Sequence, residues 1–244
     1  MEQSATHDLK IFGVGRASGG EFNDVLITGQ GDVEGDIVCT KFSLNGEGTV
    51  NGSVKTGEGS ILGTSTITGA LDADRCKIVG TVRIGGNATV RNFSIGGTVT
   101  IQGGVKCETL TLRGTTTIHG DCNAEKLECK GSFTIDGLVN AGKLDLTLYG
   151  ATKAKEIGGE TVRVRKQSGP IADMVNALLQ RLDFHQQLVA DTIEGDEVVL
   201  EFTKARIVRG NYVRLGQGCE IDLVEYRGTL DQAPGAVVKE AKKV

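Results

Sequence analysis

The chain is poor in what a large globular core needs. Among its 244 residues there is no tryptophan, aromatics are 4%, and only two prolines are present. Bulky rings carry much of the burial in large cores, so a wide, ring-filled interior is excluded. Histidine occurs three times, at His7, His119 and His185, far apart in sequence. That spacing offers no local histidine pair for a metal or a general base. The six cysteines show no C-x-x-C spacing, so neither a zinc knuckle nor a redox pair is expected. No run approaches the 18 or more apolar residues of a membrane span. Met1–Gly20 lacks the apolar stretch of a secretory signal, and a cytoplasmic location is the expectation, with a membrane-proximal position left open. Basic residues number 27 and acidic ones 31, for a net charge of −4, so no basic field invites nucleic acid. No G-x-x-x-x-G-K-[ST] loop marks a nucleotide site.

What the chain has in excess is glycine, 36 residues of it, and the glycines are periodic. They fall at 29, 46, 63, 80, 97, 114 and 131, and again six residues later at 35, 52, 69, 86, 103, 120 and 137. A fixed period, here of about 17 residues, is the signature of a repeat architecture. Four residues after each first glycine come Val33, Val50, Ile67, Ile84, Ile101, Ile118 and Ile135, all β-branched. Eight, ten, thirteen and fifteen residues after it the slots are again mostly apolar, among them Ile37, Cys39, Phe42 and Leu44 in the first repeat. Spacing by two in short runs turns one face of a strand inward. Glycine at two fixed places fits tight corners. Each repeat therefore reads as three short strands joined by corners, one coil of a β-solenoid. A single coil buries too little to offset the ordering of its own backbone and side chains, so stability must come from stacking. Cys39, Cys76, Cys107, Cys122 and Cys129 all occupy inward slots and read as buried free thiols. A strict 17-residue period breaks the six-residue register of left-handed hexapeptide solenoids and favours a right-handed β-helix.

The chain divides as follows. Residues 1–21 read as a flexible tail, with Phe22, Val25 and Ile27 in a leading incomplete coil. Residues 22–166 form the β-helix core, whose last coil around Val162 and Val164 is imperfect. Gln167-Ser168-Gly169-Pro170 stops the pattern and opens an amphipathic helix over 167–191. Its apolar stripe is Ile171, Met174, Val175, Leu178, Leu179, Leu182 and Val189. The helix either packs on the solenoid flank through Ile171, Met174, Val175, Leu178 and Leu182, or covers an open end or a partner. Residues 192–230 resume as a second β-helical segment. The spacing of its apolar residues gives two coils of about 18 residues. Val198, Leu200, Phe202, Ile207, Tyr212, Val213, Leu215, Ile221, Leu223 and Tyr226 carry that pattern. Residues 231–244 read as a C-terminal tail. The fold class is thus all-β, a right-handed β-helix interrupted by one amphipathic α-helix.

Runs such as Gly31-Asp32-Val33-Glu34-Gly35-Asp36-Ile37 and Gly48-Thr49-Val50-Asn51-Gly52-Ser53-Val54 resemble the G-x-V-x-G-x-V repeat of the bactofilins, bacterial polymer-forming cytoskeletal proteins. The resemblance covers about residues 25–165 and is closest to the longer Gram-positive-type variants. It implies a triangular right-handed β-helix that polymerises end to end without nucleotide or any cofactor, as a scaffold for cell shape, envelope or motility machinery. It also implies a homo-polymer, or a hetero-polymer with a second bactofilin, that envelope or motility proteins can join. The N-terminal sequence Met1-Glu2-Gln3-Ser4-Ala5-Thr6-His7 does not resemble the family's short apolar membrane motif, so direct membrane binding is not expected. Strand edges at the outer coils are templates for another chain. The expected polymer interface is Phe22, Val25 and Ile27 at one end, and Ile221, Leu223 and Tyr226 at the other.

Two other classes fit parts of the pattern. Outward pairs Thr64/Thr66, Thr98/Thr100, Thr115/Thr117 and Ser132/Thr134 form ranks that suit an ice- or surface-binding solenoid, although threonine is also an ordinary exposed-strand residue. A carbohydrate-active β-helix enzyme would need clustered acids or a histidine on one face, and paired acids such as Glu194 and Asp196 read as solvated rather than catalytic. The expectation is a non-enzymatic protein with no catalytic, cofactor or metal residues.

Overall fold

A computed structural model describes residues 7–167 and 186–244. Both of its compact units, one running to Gly120 and one from Asp121 onward, are parallel β-solenoids. In the first unit β1 (His7–Asn51), β2 (Val54–Ile67), β3 (Leu71–Ile84), β4 (Ala88–Ile101) and β5 (Val105–Ile118) follow one another in space in chain order. From β2 to β5 each residue pairs with its counterpart one full repeat further on: Val54↔Leu71↔Ala88↔Val105 and Ile61↔Ile78↔Ile95↔Leu112.

The inward slots explain the three-sided coil. Val54, Thr56, Gly59, Ile61, Ser65 and Ile67 point inward in one coil, and the pattern restarts at Leu71. The steps are thus 2, 3, 2, 4, 2 and 4 positions, giving two inward residues on each of three sides. The two steps of four cross corners at Gly63 and Gly69, which occupy the inward phase but bring no side chain. The step of three crosses the remaining corner, where two successive residues face out, as Asp74 and Arg75 or Arg91 and Asn92 do. This corner needs no glycine.

The first glycine column is required by geometry. Gly46, Gly63, Gly80, Gly97 and Gly114 all have φ between +113° and +139°. A Cβ on Gly80 would lie 2.0 Å from the carbonyl oxygen of Gly63, and on Gly97 2.2 Å from that of Gly80. Each glycine is excluded from substitution by the one stacked beneath it. At the second column the ladder runs on through the corner: the N–H groups of Gly69, Gly86, Gly103 and Gly120 donate to the carbonyls of Gly52, Gly69, Gly86 and Gly103 at 2.8–3.1 Å. Side chains one coil back satisfy neighbouring N–H groups. Ser53 N–H donates to Asp36 Oδ1 (2.7 Å), Ala70 N–H to Ser53 Oγ (3.1 Å) and Gly104 N–H to Asn87 Oδ1 (2.9 Å).

Residues 7–21, expected as a tail, are strand. Ile11 is buried, and Gly13 (φ +80°) sits under Gly29, whose added Cβ would meet the Gly13 oxygen at 2.3 Å. Polar composition hid this coil, because only Ile11 fills its interior well.

The second unit contains β6 (Cys122–Leu148), β7 (Thr152–Lys166), β8 (Leu188–Leu200), β9 (Thr203–Leu215), β10 (Glu220–Gln232) and β11 (Val237–Lys243), all parallel. Its coil length varies. Ile135 pairs with Ala154 but Leu138 with Glu156, a bulge that changes the offset from 19 to 18. β8 and β9 are offset by 15 (Leu188↔Thr203), and β10 and β11 by 17 (Glu220↔Val237). The expected longer coils are therefore shorter. Leu188, Ala190, Ile193, Gly195, Val198 and Leu200 follow steps of 2, 3, 2, 3 and 2, so the four-position corners have become three-position ones. Gly195 holds an inward slot here, where a Cβ would meet Val198 and Val162 Cγ2 at 3.4 and 3.5 Å.

The expected helix, with its face of Ile171, Met174, Val175, Leu178 and Leu182, falls on residues 168–185, outside the described residues. Its expected last turn is strand instead: Leu188 and Ala190 are buried at the start of β8, with Val189 half-exposed between them. The expected tail 231–244 contains β11, which pairs with β10.

Candidate assembly surfaces

The expected interface residues lie deeper than the coil ends. Phe22, Val25 and Ile27 are buried, because the coil from His7 to Gly20 lies beyond them. Ile221 is likewise buried and is paired with Val238 of β11. Leu223 and Tyr226 are half-buried, and the inward residue is Val224. A period of two carried through this region misses the three-position step from Ile221 to Val224, the same outward-outward corner seen in the first unit.

The outermost described coils are what remain available. In the first coil Phe12 (67% exposed) and Val14 (83%) face out, and His7 packs edge-on against Phe22 at 5.3 Å between ring centres. At the other end β11 covers only Glu220–Tyr226 of β10, leaving Thr229–Gln232 with β9 on one side alone. Lys239, Glu240, Lys242 and Lys243 make β11 a charged strand, with Lys239 Nζ 2.8 Å from Asp222. Charge of this kind discourages indiscriminate edge pairing.

Phe202 does not continue the inward pattern. Its φ is +46°, and it turns the corner while Thr203 takes the buried slot. The Lys166 ammonium lies 4.7 Å from its ring centre.

A groove of about 370 Å³ opens on the second unit over a floor of Gly158, Gly159, Gly195 and Gly210. Glu156, Glu160, Glu194 and Asp196 line it, with Arg227. The acids Glu194 and Asp196 thus share one groove. Arg209 bridges Glu194 (3.8 Å) and Glu225 (2.6 Å), so this region is an exposed ion-pair ladder running from coil to coil. Similar ladders link Arg91 to Asp74 (3.1 Å) and Glu108 (3.8 Å). Exposed pairs of this sort add little stability each. Among the described residues no three His, Cys, Asp or Glu side chains converge as a metal cluster would.

All six cysteines are free thiols, and five are buried; Cys107 is half-buried, and Cys219 joins the inward set. Burial pushes the Cys76, Cys107 and Cys129 thiols up to about 12 and Cys219 to about 11. Thiols held protonated are poor nucleophiles and poor metal ligands.

Comparison with known proteins adds relatives but no activity. Over 90 residues the chain is 36% identical to the uncharacterized protein YhbF of Bacillus subtilis (strain 168), covering 37% of this chain and 34% of that one. Over 95 residues it is 38% identical to the uncharacterized protein YhbE of the same organism, covering 39% and 38%. The chain thus spans little more than a third of the length of the curated relatives it matches. No family model matches the chain, and no solved structure does.

Proposed function

We propose that the protein is a non-enzymatic scaffold, a bactofilin-like right-handed β-helix that assembles end to end into nucleotide-independent filaments. Parallel crossovers are right-handed in nearly all known sheets, which supports that hand. One observation carries the reading: within each unit successive coils are parallel strand layers whose N–H and C=O groups bond to the next, and β11 carries that pairing onto Glu220–Tyr226 of β10. A coil of a second copy can continue the ladder. The contacting groups are then Phe12 and Val14 at one end and Val238 with Thr229–Gln232 at the other, not the buried Val25 and Ile221. The filament serves as a cytoplasmic support for cell shape, envelope or motility proteins, homo-polymeric or shared with a second bactofilin.

The test is negative-stain electron microscopy of the purified full chain without ATP or GTP across a salt series. Filaments are expected, and Val14→Glu should shorten or abolish them. A monodisperse monomer at every salt concentration sinks the reading.

A further inference from the structure

One flat face of the first unit carries a pattern that the end-to-end reading does not use. It is the side between the two glycine corners. Its outward ranks are in register: Glu47↔Thr64↔Thr81↔Thr98↔Thr115 and Thr49↔Thr66↔Arg83↔Thr100↔Thr117. Eight of these ten residues are threonine. Ranks of this kind repeat at about 4.8 Å along the stack and roughly 6.7 Å across it. The charges are unevenly placed. Asp32, Glu34 and Glu47 lie toward the N-terminal coils, and Arg83 is the one arginine or lysine among the coils from Thr64 to Thr117 on this face. Arg16 already reaches Asp32 at 3.4 Å, and Glu34 accepts from Asn51 Nδ2 at 2.8 Å.

We infer that this threonine face is the lateral docking surface for a second copy of the chain, with the two stacks antiparallel. The charges select the occupant and its direction. Facing copies related by a two-fold axis along the strands, through the coil of Thr64 and Thr66, set Glu47 of each copy one rank from Arg83 of the other. The same operation lays the acidic coil of Asp32 and Glu34 against the neutral Thr98, Thr100 and Gln102. A parallel pairing would instead lay the acidic coils of the two copies on each other, which is repulsive. Threonine-on-threonine contact supplies close packing and hydroxyl hydrogen bonds without burying further charge. The face is about 34 Å by 10 Å over seven coils. That is well below the roughly 800 Å² per partner of a stable complex, so an isolated pair is weak. Repetition along a filament would multiply it, yet the pairing itself does not rest on end-to-end growth.

Disulfide trapping of the full chain tests the placement, with the wild type and its buried thiols as background. Thr64→Cys lies on the two-fold axis and should cross-link to itself. Thr98→Cys should not, but should cross-link to Gln30→Cys when the two variants are mixed. Glu47→Arg should lower the Thr64→Cys yield about tenfold by replacing two attractive pairs with two repulsive ones, and Arg83→Glu added to it should restore the yield. Yields for Thr64→Cys no higher than background overturn the proposal. So do equal self-cross-linking of Thr64→Cys and Thr98→Cys, or a charge reversal without effect. Freezing-point hysteresis from protein that never cross-links would overturn it too, and assign the face to ice. Trapping is done at high protein concentration, where a weak pair is populated, and the position-specific yields are read whether or not filaments form.

Discussion

Replacing Gly80 by alanine probes the glycine column most directly. Two costs add there. With φ at +139°, Gly80 holds a backbone conformation that L-residues rarely adopt, a strain of about 1–3 kcal/mol. Its new Cβ would also lie 2.0 Å from the Gly63 carbonyl oxygen, and that oxygen belongs to a hydrogen-bonded ladder that cannot swing aside. Overpacking of that kind costs roughly 1–3 kcal/mol more. The expected loss is therefore about 2–6 kcal/mol. Gly96 is a built-in control on the same corner. An added Cβ there meets nothing closer than 3.6 Å, and its φ is not in the positive region. Gly96→Ala should be neutral, or stabilising by up to about 1 kcal/mol through the unfolded chain. Urea unfolding followed by far-ultraviolet circular dichroism measures both, with the slope checked because a repeat array can melt in parts. A loss under about 1 kcal/mol for Gly80→Ala, the size of an ordinary substitution, would refute the stacking argument. Equal losses for the two variants would refute it as well.

Ser65 should be improvable. It fills an inward slot shared with Val82 and Val99 one and two coils on, and its buried Oγ has no hydrogen-bond partner. Ser65→Val should raise the unfolding free energy by about 1–2 kcal/mol in the same urea assay, and a clear loss would mean that the slot is too narrow. Alkaline pH should expose the buried thiols. Burial raises the folded-state Cys76 and Cys129 values to about 12 from an unfolded value near 9.0, so the folded state keeps protons that the unfolded state releases. Their effect is flat below about pH 8.5, and stability then falls as pH climbs through 9 toward 12, by ~1.4 kcal/mol per pH unit per thiol. Between pH 8.5 and 10.5 the wild type should lose about 2 kcal/mol more than Cys76→Ala; parallel curves would show that Cys76 is not held protonated.

The repeat was legible because one rule serves every coil of the first unit. The β-branched slot at Ile67, Ile84 and Ile101 and the glycines at 63, 80 and 97 each recur without a slip, so period and strand phase reinforce one another. The inward slot at Ser65, Val82, Val99 and Thr116 was harder to read, because glycine stands there in Gly31 and Gly48 and a hydroxyl in two later coils. That slot narrows where Ile27 and Leu44 lean into it: a Cβ on Gly31 would lie 2.6 Å from Ile27 Cγ2, and one on Gly48 2.4 Å from Leu44 Cδ1. Composition alone cannot reveal such an exchange of volume between neighbouring columns.

The second unit resisted for a related reason. Backbone ladders tolerate a change of coil length if the extra or missing residue falls at a corner or bulge, and the register shifts near Leu138 and Tyr226 do this. Once the offset drifts from 19 through 15 to 17, no fixed period finds the inward residues, and Leu223 is taken for Val224. The assembly surfaces follow the same logic. Which residues are terminal depends on whether the weak coils, His7–Gly20 and β11, join the stack: β11 joins through backbone pairing with β10, and in the first coil Gly13 stacks against Gly29. Ile11 is the only well-buried apolar anchor in the first of these coils, and β11 places mostly charged residues over β10. A coil held mainly by its ladder can add to the stack at little cost in sequence. That is also the property that lets a coil from another copy do the same.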